Sequence, residues 1–587
     1  MAVIPVLMFL VYGFQYGHTS DIQQFRSSEH ASTQGDSIYI HFDRQLYVTG
    51  DRLWYKAYVI GKGNQDLFSE SRVLYVELFN QQQERVTQQI LYLDRGQANG
   101  DIFFADTLPS GIYFFAAYTS LMRLEVPCNI YWKPILIYNR FETKTSNVTG
   151  DFPGYGTGSR KAGILSHSNA HAEIKGIRDI YKTRDKVDIN VMITKGSLPA
   201  ESSFSVSVAK VPPVVLSANH TASSGPQDFD LSEFSDSGQR LQLEKRGNNI
   251  TGQVLWKHNG SPVAHKRLIL AIPDSISILD YALTDHQGWF SFILDKYYSS
   301  DQLFLHFEDQ LPPADSIRIR WLSKFIDTVC LPRNTFHLPP VEQGYLLSQR
   351  NRISIGNAYG ISTEVLVDGS VERDQDSHIP FYGMPAIVVF PEEYLSLPNL
   401  KEITRELLPS IRFTGQPGHY SLDIYNPVTQ GYMAQSFILL DGVPVYDFNL
   451  VAELGSSDIQ RIEVQNRTRV FGDIILDGVV ALFTKEKRIH AMDLSKSHLK
   501  YHFPKFKQPA LPIMPVYEDN ADDNSRIPDF RQLLYWGPMN RTGRDGKGKL
   551  SFFTSDETGW FRITVEGITL DGLYFTNQKD LYVGNQR

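Results

Sequence analysis

Three side chains in the first third of the chain have the types and spacing of metal ligands: His167, His171 and Glu173. Two histidines four residues apart meet on one face of a helix, and a nearby carboxylate adds a third ligand of the kind that zinc accepts. The neighbours Gly163 and Asn169 predict a loop rather than a helix. We therefore interpret the cluster as a solvated loop and expect no metal there.

Other patterns that carry catalysis are missing from the sequence. Gly-x-Ser-x-Gly, His-Glu-x-x-His, Walker and Cys-x-x-Cys arrangements do not occur. The acidic pairs Glu392-Glu393 and Asp522-Asp523 are typical of solvated surface. The glycines of 151–159 suggest a phosphate loop, but no Gly-Lys-Ser/Thr follows them, so a linker is the better interpretation. The sequence thus predicts no enzyme and no cofactor.

Length and composition indicate how many domains the chain has and which kind of secondary structure would position a site. The chain has 587 residues, which at roughly 100–200 residues per domain predicts about three to five domains. Aromatic residues make up 12%, and 42 Gly and 30 Pro supply many turns, as expected of short strands. The net charge of −8 is spread over the chain and makes nucleic acid a poor partner.

The cysteines and the N-terminus bear on the cellular compartment. Cys128 and Cys330 are far apart in sequence, so we expect two separate buried thiols, with a bridge between them as the alternative. Residues 1–20 resemble a signal peptide, although a buried N-terminal segment remains open. Beyond them no apolar run is long enough for a membrane helix. We expect an exported protein with no transmembrane helix in its mature chain.

Short alternating strands dominate the first 140 residues. Residues 37–60 alternate apolar and polar positions around a Thr49-Gly50-Asp51 turn, which predicts a hairpin with one buried face. Four more strand-length runs follow, with turn residues between them. The pattern predicts a β-sandwich, and the chain as a whole is predicted to be mainly β.

Two stretches of this first domain resemble a known family. The residues concerned are Asp43-Arg44, Tyr47, Gly50-Asp51 and Trp54, then 108–113 and 117–123. They are similar to α2-macroglobulin-type MG domains in exported proteins of Bacteroidota, with Thr49 in place of the usual proline. The resemblance implies an MG2-like sandwich over 21–142, followed by a linker over 143–168.

Further domains follow by resemblance. Ile180–Val187 and the strand at 204–208 suggest a second MG-like sandwich over 169–245. Residues 246–335 resemble a carboxypeptidase regulatory-like sandwich, a domain type without catalytic residues. The last 60 residues, 528–587, resemble macroglobulin strands and are short for a core of their own, so they could complete a sandwich such as the one that begins near residue 170.

Residues 362–487, after a connector at 336–361, are predicted to be α+β. Leu397–Leu408 is the strongest helix pattern, with Asn399 as its cap and Pro409 as its stop. The strands at 437–445, 457–464 and 477–485 resemble the plug domain of TonB-dependent outer-membrane receptors of Bacteroidota. Only about 100 residues follow, whereas a 22-stranded barrel takes more than roughly 200. We expect a plug-like fold without a barrel, then a linker over 488–527.

A recurring Asp-Ser/Thr-aliphatic pattern resembles the O-glycosylation signal of exported Bacteroidota proteins. The candidate attachment residues are Ser37, Thr107, Ser275, Ser316 and Thr328. A turn-forming Asp-Ser/Thr pair ahead of a strand explains the same pattern, and both interpretations stay open.

These observations favour a non-enzymatic envelope protein, periplasmic or associated with the outer membrane. We expect tandem immunoglobulin-like or MG sandwiches and one plug-like domain, acting as a binding or scaffold subunit with outer-membrane β-barrel proteins or other envelope complex subunits. β-Strand addition at open sheet edges is the expected mode of contact. A glycan- or peptide-binding module is the alternative. Protease inhibition is disfavoured because the Cys-Gly-Glu-Gln thioester is missing.

Overall fold

The computed structural model describes the residues 35–62, 69–124, 130–142, 149–150, 169–212, 243–273, 278–295, 297–298, 300–308, 312–326, 336–337, 341–360, 365–367, 379–394, 396–433, 436–517 and 527–584. The protein is mainly β, as predicted. It divides into two compact units. The larger unit contains residues 33–274, 279–378 and 493–587, and the smaller unit is formed by residues 379–492.

The first sandwich lies in the larger unit. Its elements are β1 (Gly35–Phe42), β2 (Leu46–Val48), β3 (Arg52–Lys62), β4 (Val73–Phe79), β5 (Arg85–Tyr92), β6 (Gln97–Phe103), β7 (Gly111–Tyr118), α1 (Ser120–Leu124) and β8 (Tyr131–Tyr138). One sheet has the order β1-β3-β6 and the other β2-β8-β7-β4-β5. Leu53, Tyr55 and Phe115 are buried in the core between the sheets. The predicted sandwich is confirmed.

The segment 37–60 differs from the simple hairpin that the sequence predicts. β1 pairs with β3, but β2, which lies between them in sequence, pairs in parallel with β8 of the other sheet. The turn at Gly50 therefore connects strands of two sheets. Gly50 has φ +90°, and a Cβ there would meet side-chain atoms of Arg140 and Ile353 at 3.1 Å. Only glycine fits this crossing without strain.

Residues 149–210 contribute six further strands. They are β9 (Thr149–Gly150), β10 (Ala170–Lys175), β11 (Ile180–Tyr181), β12 (Lys186–Lys195), β13 (Leu198–Pro199) and β14 (Ser202–Lys210). β12 pairs with β10 and with β13. Along β12, buried and exposed residues alternate, which is the pattern of a strand with one face in a core.

The third sandwich follows. Its elements are β15 (Asn248–Trp256), β16 (Arg267–Ile272), β17 (Ile278–Leu283), β18 (Trp289–Leu294), β19 (Gln302–Phe307), a 3-10 turn (Ala314–Ser316) and β20 (Ile317–Trp321). One sheet has the order β18-β15-β20, and the other contains β17, β16 and β19. Val254, Leu270 and Phe292 are buried.

The predicted connector contains the longest helix of the described chain. The elements are β21 (Phe336–His337), which pairs with β9, α2 (Gln343–Ala358) and β22 (Val365–Val367). Leu346 and Ile353 of α2 pack into a cluster on the outer face of the β2-β8-β7 sheet. The sequence did not predict α2 because its apolar positions are sparse and no side chain caps its first turn. No helix in the described ranges is long and apolar enough to cross a bilayer.

The smaller unit is an α+β fold. Its elements are β23 (Ile387–Val389), a 3-10 turn (Pro391–Glu393), α3 (Leu400–Leu407), β24 (Ile411–Thr414), β25 (Ser421–Asn426), β26 (Gly431–Met433), β27 (Phe437–Leu440), β28 (Val443–Val445), α4 (Asn449–Ala452), β29 (Ile459–Phe471), β30 (Ile474–Thr484) and a 3-10 turn (Arg488–His490). The main sheet has the order β23-β29-β30-β27-β28, and β24-β25-β26 form a second sheet.

The helix predicted over Leu397–Leu408 is confirmed as α3. The Asn399 side chain accepts a hydrogen bond from the Glu402 N–H at 2.9 Å, as an N-cap does. Leu400 and Ile403 are buried on one face. Local signals were sufficient here because the cap, the apolar face and the stop all lie within twelve residues.

Residues 488–527, predicted to be a linker, are largely a packed segment. We call residues 493–517 the strap; it contains β31 (Leu499–His502) and β32 (Ala510–Pro512). β31 pairs with β19 of the third sandwich, and β32 pairs with β22. Between them the Lys507 N–H donates to the Ile90 carbonyl at 2.7 Å, so the strap also lies along β5. The linker prediction is wrong for the strap, because polar composition does not exclude pairing to a sheet edge.

The last strands complete the second sandwich. They are β33 (Leu533–Thr542), β34 (Lys547–Phe553), β35 (Gly559–Thr569) and β36 (Tyr574–Val583). β34 pairs with β12, and β14 lies between β33 and β35. Val191, Val206 and Val565 share one core. The C-terminal segment is therefore part of the sandwich that begins near residue 170.

Candidate functional site: an arginine-lined cleft

The residues near position 50 that resemble the MG-domain pattern form a buried hydrogen-bonded network. Asp43 accepts hydrogen bonds from the Tyr47 hydroxyl at 2.7 Å and from the Trp54 N–H at 2.9 Å. Asp51 accepts from the Val48 N–H at 3.1 Å. These contacts hold the ends of β1, β2 and β3 where the chain crosses between sheets. The pattern of residue types thus has a structural reason in this chain.

Two arginines share the carboxylates of this network. Arg352 of α2 donates from Nη2 to Asp51 Oδ1 at 2.6 Å, and Arg44 Nη2 lies 3.7 Å from the same oxygen. Burial alone would raise the pKa of Asp51, but the two guanidinium groups outweigh it and lower the pKa. Burial raises the pKa of Asp43 to about 6 against the attraction of Arg44. Asp51 is therefore the firmly ionised anchor that ties α2 to the first sandwich.

A cleft of about 140 Å³ opens beside this network. Arg44 and Arg352 line it together with two further arginines, Arg52 and Arg531. Its apolar wall is formed by Trp54, Ile353, Met514 and Phe530. This volume is close to that of a protein cavity of about 150 Å³ that holds benzene, which is room for one side chain rather than for a long ligand.

Neighbouring pairs complete the electrostatics of the cleft. Arg52 forms an ion pair with Asp101, and Lys507 of the strap shares that carboxylate at 2.8 Å. Arg531 pairs with Asp529 at 2.8 Å. Burial lowers the pKa of Lys507, and the attraction of Asp101 opposes that shift. One carboxylate thus serves two cations at the Asp101 end.

A second buried polar cluster joins the first and second sandwiches. His41 Nδ1 lies 2.7 Å from Ser205 Oγ, and His41 Nε2 lies 3.3 Å from Ser207 Oγ and 4.0 Å from Glu566 Oε2. The residue types are those of a serine hydrolase, but Ser205 is fully buried and also contacts the Tyr58 hydroxyl at 3.0 Å. Burial lowers the pKa of His41, against the pull of Glu566. We interpret the cluster as an inter-sandwich contact.

Sequence reasoning did not find this cluster. Its members are separated by about 160 and 360 positions, so no local spacing connects them. One pattern in the sequence could have indicated it. Along β14, Ser203, Ser205 and Ser207 alternate with apolar residues and form one polar face of the strand. All three serines are buried, because that face lies against the first sandwich.

The predicted O-glycosylation residues lie in different settings. Thr107 is exposed in the connection between β6 and β7. Ser37 is half-buried within β1, and Ser316 donates to the Pro313 carbonyl at 2.6 Å. Ser275 and Thr328 lie outside the described residues. Attachment at these residues stays a prediction.

The predicted metal cluster is only partly described. His171 and Glu173 lie in β10 with exposed side chains, so the loop prediction is wrong at these two positions. The alternation of small or apolar residues on the other face explains the strand, since Ala172 and Ile174 are buried. His167, Cys128 and Cys330 lie outside the described residues. Within those residues no group of three His, Cys, Asp or Glu side chains is arranged for a metal.

The smaller unit has an exposed apolar hairpin tip. β29 and β30 pair over residues 468–471 and 474–477, where Val470 lies opposite Ile475. These side chains are 73% and 66% exposed. Contiguous exposed apolar surface marks interaction sites, whereas single exposed apolar residues are ordinary. We call residues 466–478 the ribbon.

Comparisons with known proteins give distant structural neighbours. No protein-family model and no curated protein matches the chain. Salmonella α2-macroglobulin reacted with methylamine has 8% identity and a TM-score of 0.23, with 96% of this chain and 40% of that chain covered. Escherichia coli α2-macroglobulin activated by porcine elastase has 8% identity and a TM-score of 0.24, with 94% and 44% covered. The Yersinia pseudotuberculosis adhesin InvE has 8% identity, a TM-score of 0.13 and coverages of 49% and 58%.

The chain spans less than half the length of these macroglobulins. At these TM-scores the neighbours carry no argument about the fold or the activity of this chain.

Proposed function

We propose that this chain is a non-enzymatic binding or scaffold subunit of the cell envelope, acting with outer-membrane barrel proteins or their transport and assembly machinery. The observation that supports it best is that side chains of the types used in catalysis form contacts between domains. His41, Ser205 and Glu566 form the contact between the first and second sandwiches. A serine buried in the interface between two sandwiches serves alignment and offers no approach to a substrate.

A second joint supports the same proposal. Glu244 accepts from the Tyr75 hydroxyl at 2.8 Å and from Lys324 Nζ at 2.7 Å, which connects the first sandwich to the region of the third. Buried charged pairs are expensive to break once formed, because each partner would be left without its counter-charge. The larger unit therefore behaves as one preorganised support.

The ribbon of the smaller unit is the proposed contact surface. The smaller unit has an apolar hairpin tip, with Val470 and Ile475 exposed, to offer to a partner. The matched control is Leu198 in the β12–β13 hairpin of the larger unit, which is 70% exposed and equally apolar.

A pull-down from detergent-solubilised outer membranes tests the proposal. The tagged full chain and Leu198→Ser should recover barrel proteins, and the double variant Val470→Ser, Ile475→Ser should recover less than about a tenth as much. Recovery of the wild-type chain alone would refute the scaffold role. Equal recovery by all three proteins would show that the ribbon is not the contact surface.

One observation favours the glycan-binding alternative. Trp560 is 56% exposed, and its ring centroid lies 5.3 Å from that of Tyr582 on the neighbouring strand. Exposed aromatic pairs stack on sugar rings. Binding of the chain to envelope polysaccharide, lost in Trp560→Ala, would support this function over the first.

A further inference from the structure

The arginines of the cleft have hydrogen-bond capacity that the protein does not use. Arg352 donates from Nε to Gln349 and from Nη2 to Asp51, which leaves Nη1 without an acceptor among the described residues. Arg52 uses Nη1 for Asp101. Arg44 lies 3.2 Å from Asp43 through Nε and donates from Nη2 to the Arg52 carbonyl at 3.5 Å, which leaves its Nη1 without an acceptor among the described residues. Each side chain retains 13–27% exposure and lines the cleft.

The charges around the cleft do not cancel. The cations are Arg44, Arg52, Arg352, Arg531 and Lys507, and the carboxylates paired with them are Asp43, Asp51, Asp101 and Asp529. The four arginines that line the cleft have four carboxylate partners, and Lys507, which shares Asp101 from outside the lining, is the additional cation that a monoanion would balance. This is notable in a chain whose net charge is −8.

The shape of the cleft selects among anions. A guanidinium group presents parallel N–H donors that match the two oxygens of a carboxylate. Trp54 and Met514 on the apolar wall would contact methylene groups, which inorganic anions lack. The volume accommodates a side chain such as that of glutamate.

We propose that this cleft binds the carboxylate side chain of an acidic peptide segment, held by the open donors of Arg44, Arg52 and Arg352. The proposal is independent of the envelope role and of the ribbon, since the cleft lies wholly within the larger unit. It assigns a ligand chemistry to a site that the fold builds where the first sandwich, α2, the strap and the start of β33 meet.

Ligand-observed saturation-transfer NMR with the full chain at pH 7.5 tests the proposal. The probes are acetyl-Gly-Glu-Gly-amide, its glutamine counterpart and inorganic phosphate as a competitor. The glutamate peptide should bind, and the isosteric glutamine peptide should bind at least about tenfold more weakly because it lacks the charge. Phosphate should compete poorly.

Variants identify the site. Arg352→Gln and Arg52→Gln should each weaken glutamate-peptide binding about tenfold. Arg350→Gln is the matched control, because Arg350 is exposed on the same helix and its guanidinium lies 5.0 Å from the Phe141 ring instead. Loss of the Arg352–Asp51 pair in Arg352→Gln could disturb α2 itself. Arg52→Gln leaves that pair intact and so tests the cleft separately. No signal from the glutamate peptide, equal binding of the glutamine peptide, tighter binding of phosphate, or unchanged binding in both cleft variants would overturn the proposal.

Discussion

Asp43 and Asp51 show how one additional cation changes the behaviour of a buried acid. Both lie beside Arg44, yet the pKa of Asp43 is raised to about 6 and that of Asp51 is lowered. The difference is Arg352, which arrives from α2, about 300 residues away in sequence. A resemblance limited to the residues around position 50 cannot reveal it.

Lys56 carries a prediction about pH. Its side chain is fully buried, with Nζ 2.9 Å from Met539 Sδ. Burial lowers its pKa from 10.5 to about 7, Arg541 adds to the shift, and Asp94 opposes it. Between pH 7 and 10.5 the unfolded chain binds a proton that the folded chain does not, so the free energy of unfolding rises with pH across this window.

Lys56→Met should stabilise the larger unit by about 1–4 kcal/mol at pH 7.5, because a methionine carries no charge to bury. The variant should also show a smaller rise in stability between pH 7.5 and 9.5. Urea unfolding followed by tryptophan fluorescence measures both effects, since all seven tryptophans lie in the larger unit. Lys549→Met, at an exposed position of β34, is the control. An unchanged pH slope in Lys56→Met would contradict the buried-amine interpretation.

At the scale of elements, the strap shows why a polar composition does not identify a linker. An edge strand binds another strand through its backbone, so a polar segment can pair if a few side chains anchor it. Phe506 is such an anchor: it is buried, and its ring lies 5.6 Å from that of Tyr92. The strap covers β5 and β19, two edges that would otherwise be open to strand addition.

Phe506→Ala should loosen the strap. Removing a buried aromatic ring costs about 3–5 kcal/mol, so local opening of the strap should become at least about a hundredfold more frequent. Limited trypsin digestion, read by mass spectrometry at Lys500 and Lys505, measures the opening. Ile513→Ala, at an exposed position of the same strap, should behave like the wild-type chain. Rapid cleavage of the wild-type strap would argue against the packed segment.

The cap of α3 supports a second prediction at this scale. Asn399→Ala removes the acceptor of the Glu402 N–H and should cost about 1 kcal/mol. Hydrogen exchange of amides 402–407 should accelerate about fivefold. Asn399→Ser retains an acceptor and should stay within about twofold of wild type. Exchange in Asn399→Ala at the rate of the wild-type chain would show that the cap contributes nothing.

At the scale of the whole molecule, the strands and α3 were predictable because their signals are local. The first sandwich follows from period-two patterns, and α3 from its cap and apolar face. The sequence suggested that residues 528–587 complete the sandwich that begins near residue 170, but it did not predict that β14 lies between β33 and β35. The packing of α2 and the His41–Ser205 contact were not predictable, because each joins segments separated by 160 residues or more. The cleft was not predictable for the same reason. Only the segment that resembles an MG domain, with Arg44 and Asp51, was singled out in the sequence, and the other lining residues come from α2, the strap and the start of β33.

Ending the chain after residue 527 should unfold the second sandwich selectively. β14 would lose both neighbouring strands and β12 would lose one. Amides 186–210 should lose their protection from hydrogen exchange, while amides 402–407 of the smaller unit stay protected. Retained protection at 186–210 would contradict the shared core.

The late completion of the second sandwich also has a consequence for biosynthesis. β14 must wait for β33 while roughly 320 further residues are made, which at about 5–20 residues per second takes tens of seconds. During that interval the edges of β12 and β14 are unpaired, and the chain would depend on a holding factor or on a tethered, unfinished state. Completion of the second sandwich is thus timed by the synthesis of β33, β34 and β35.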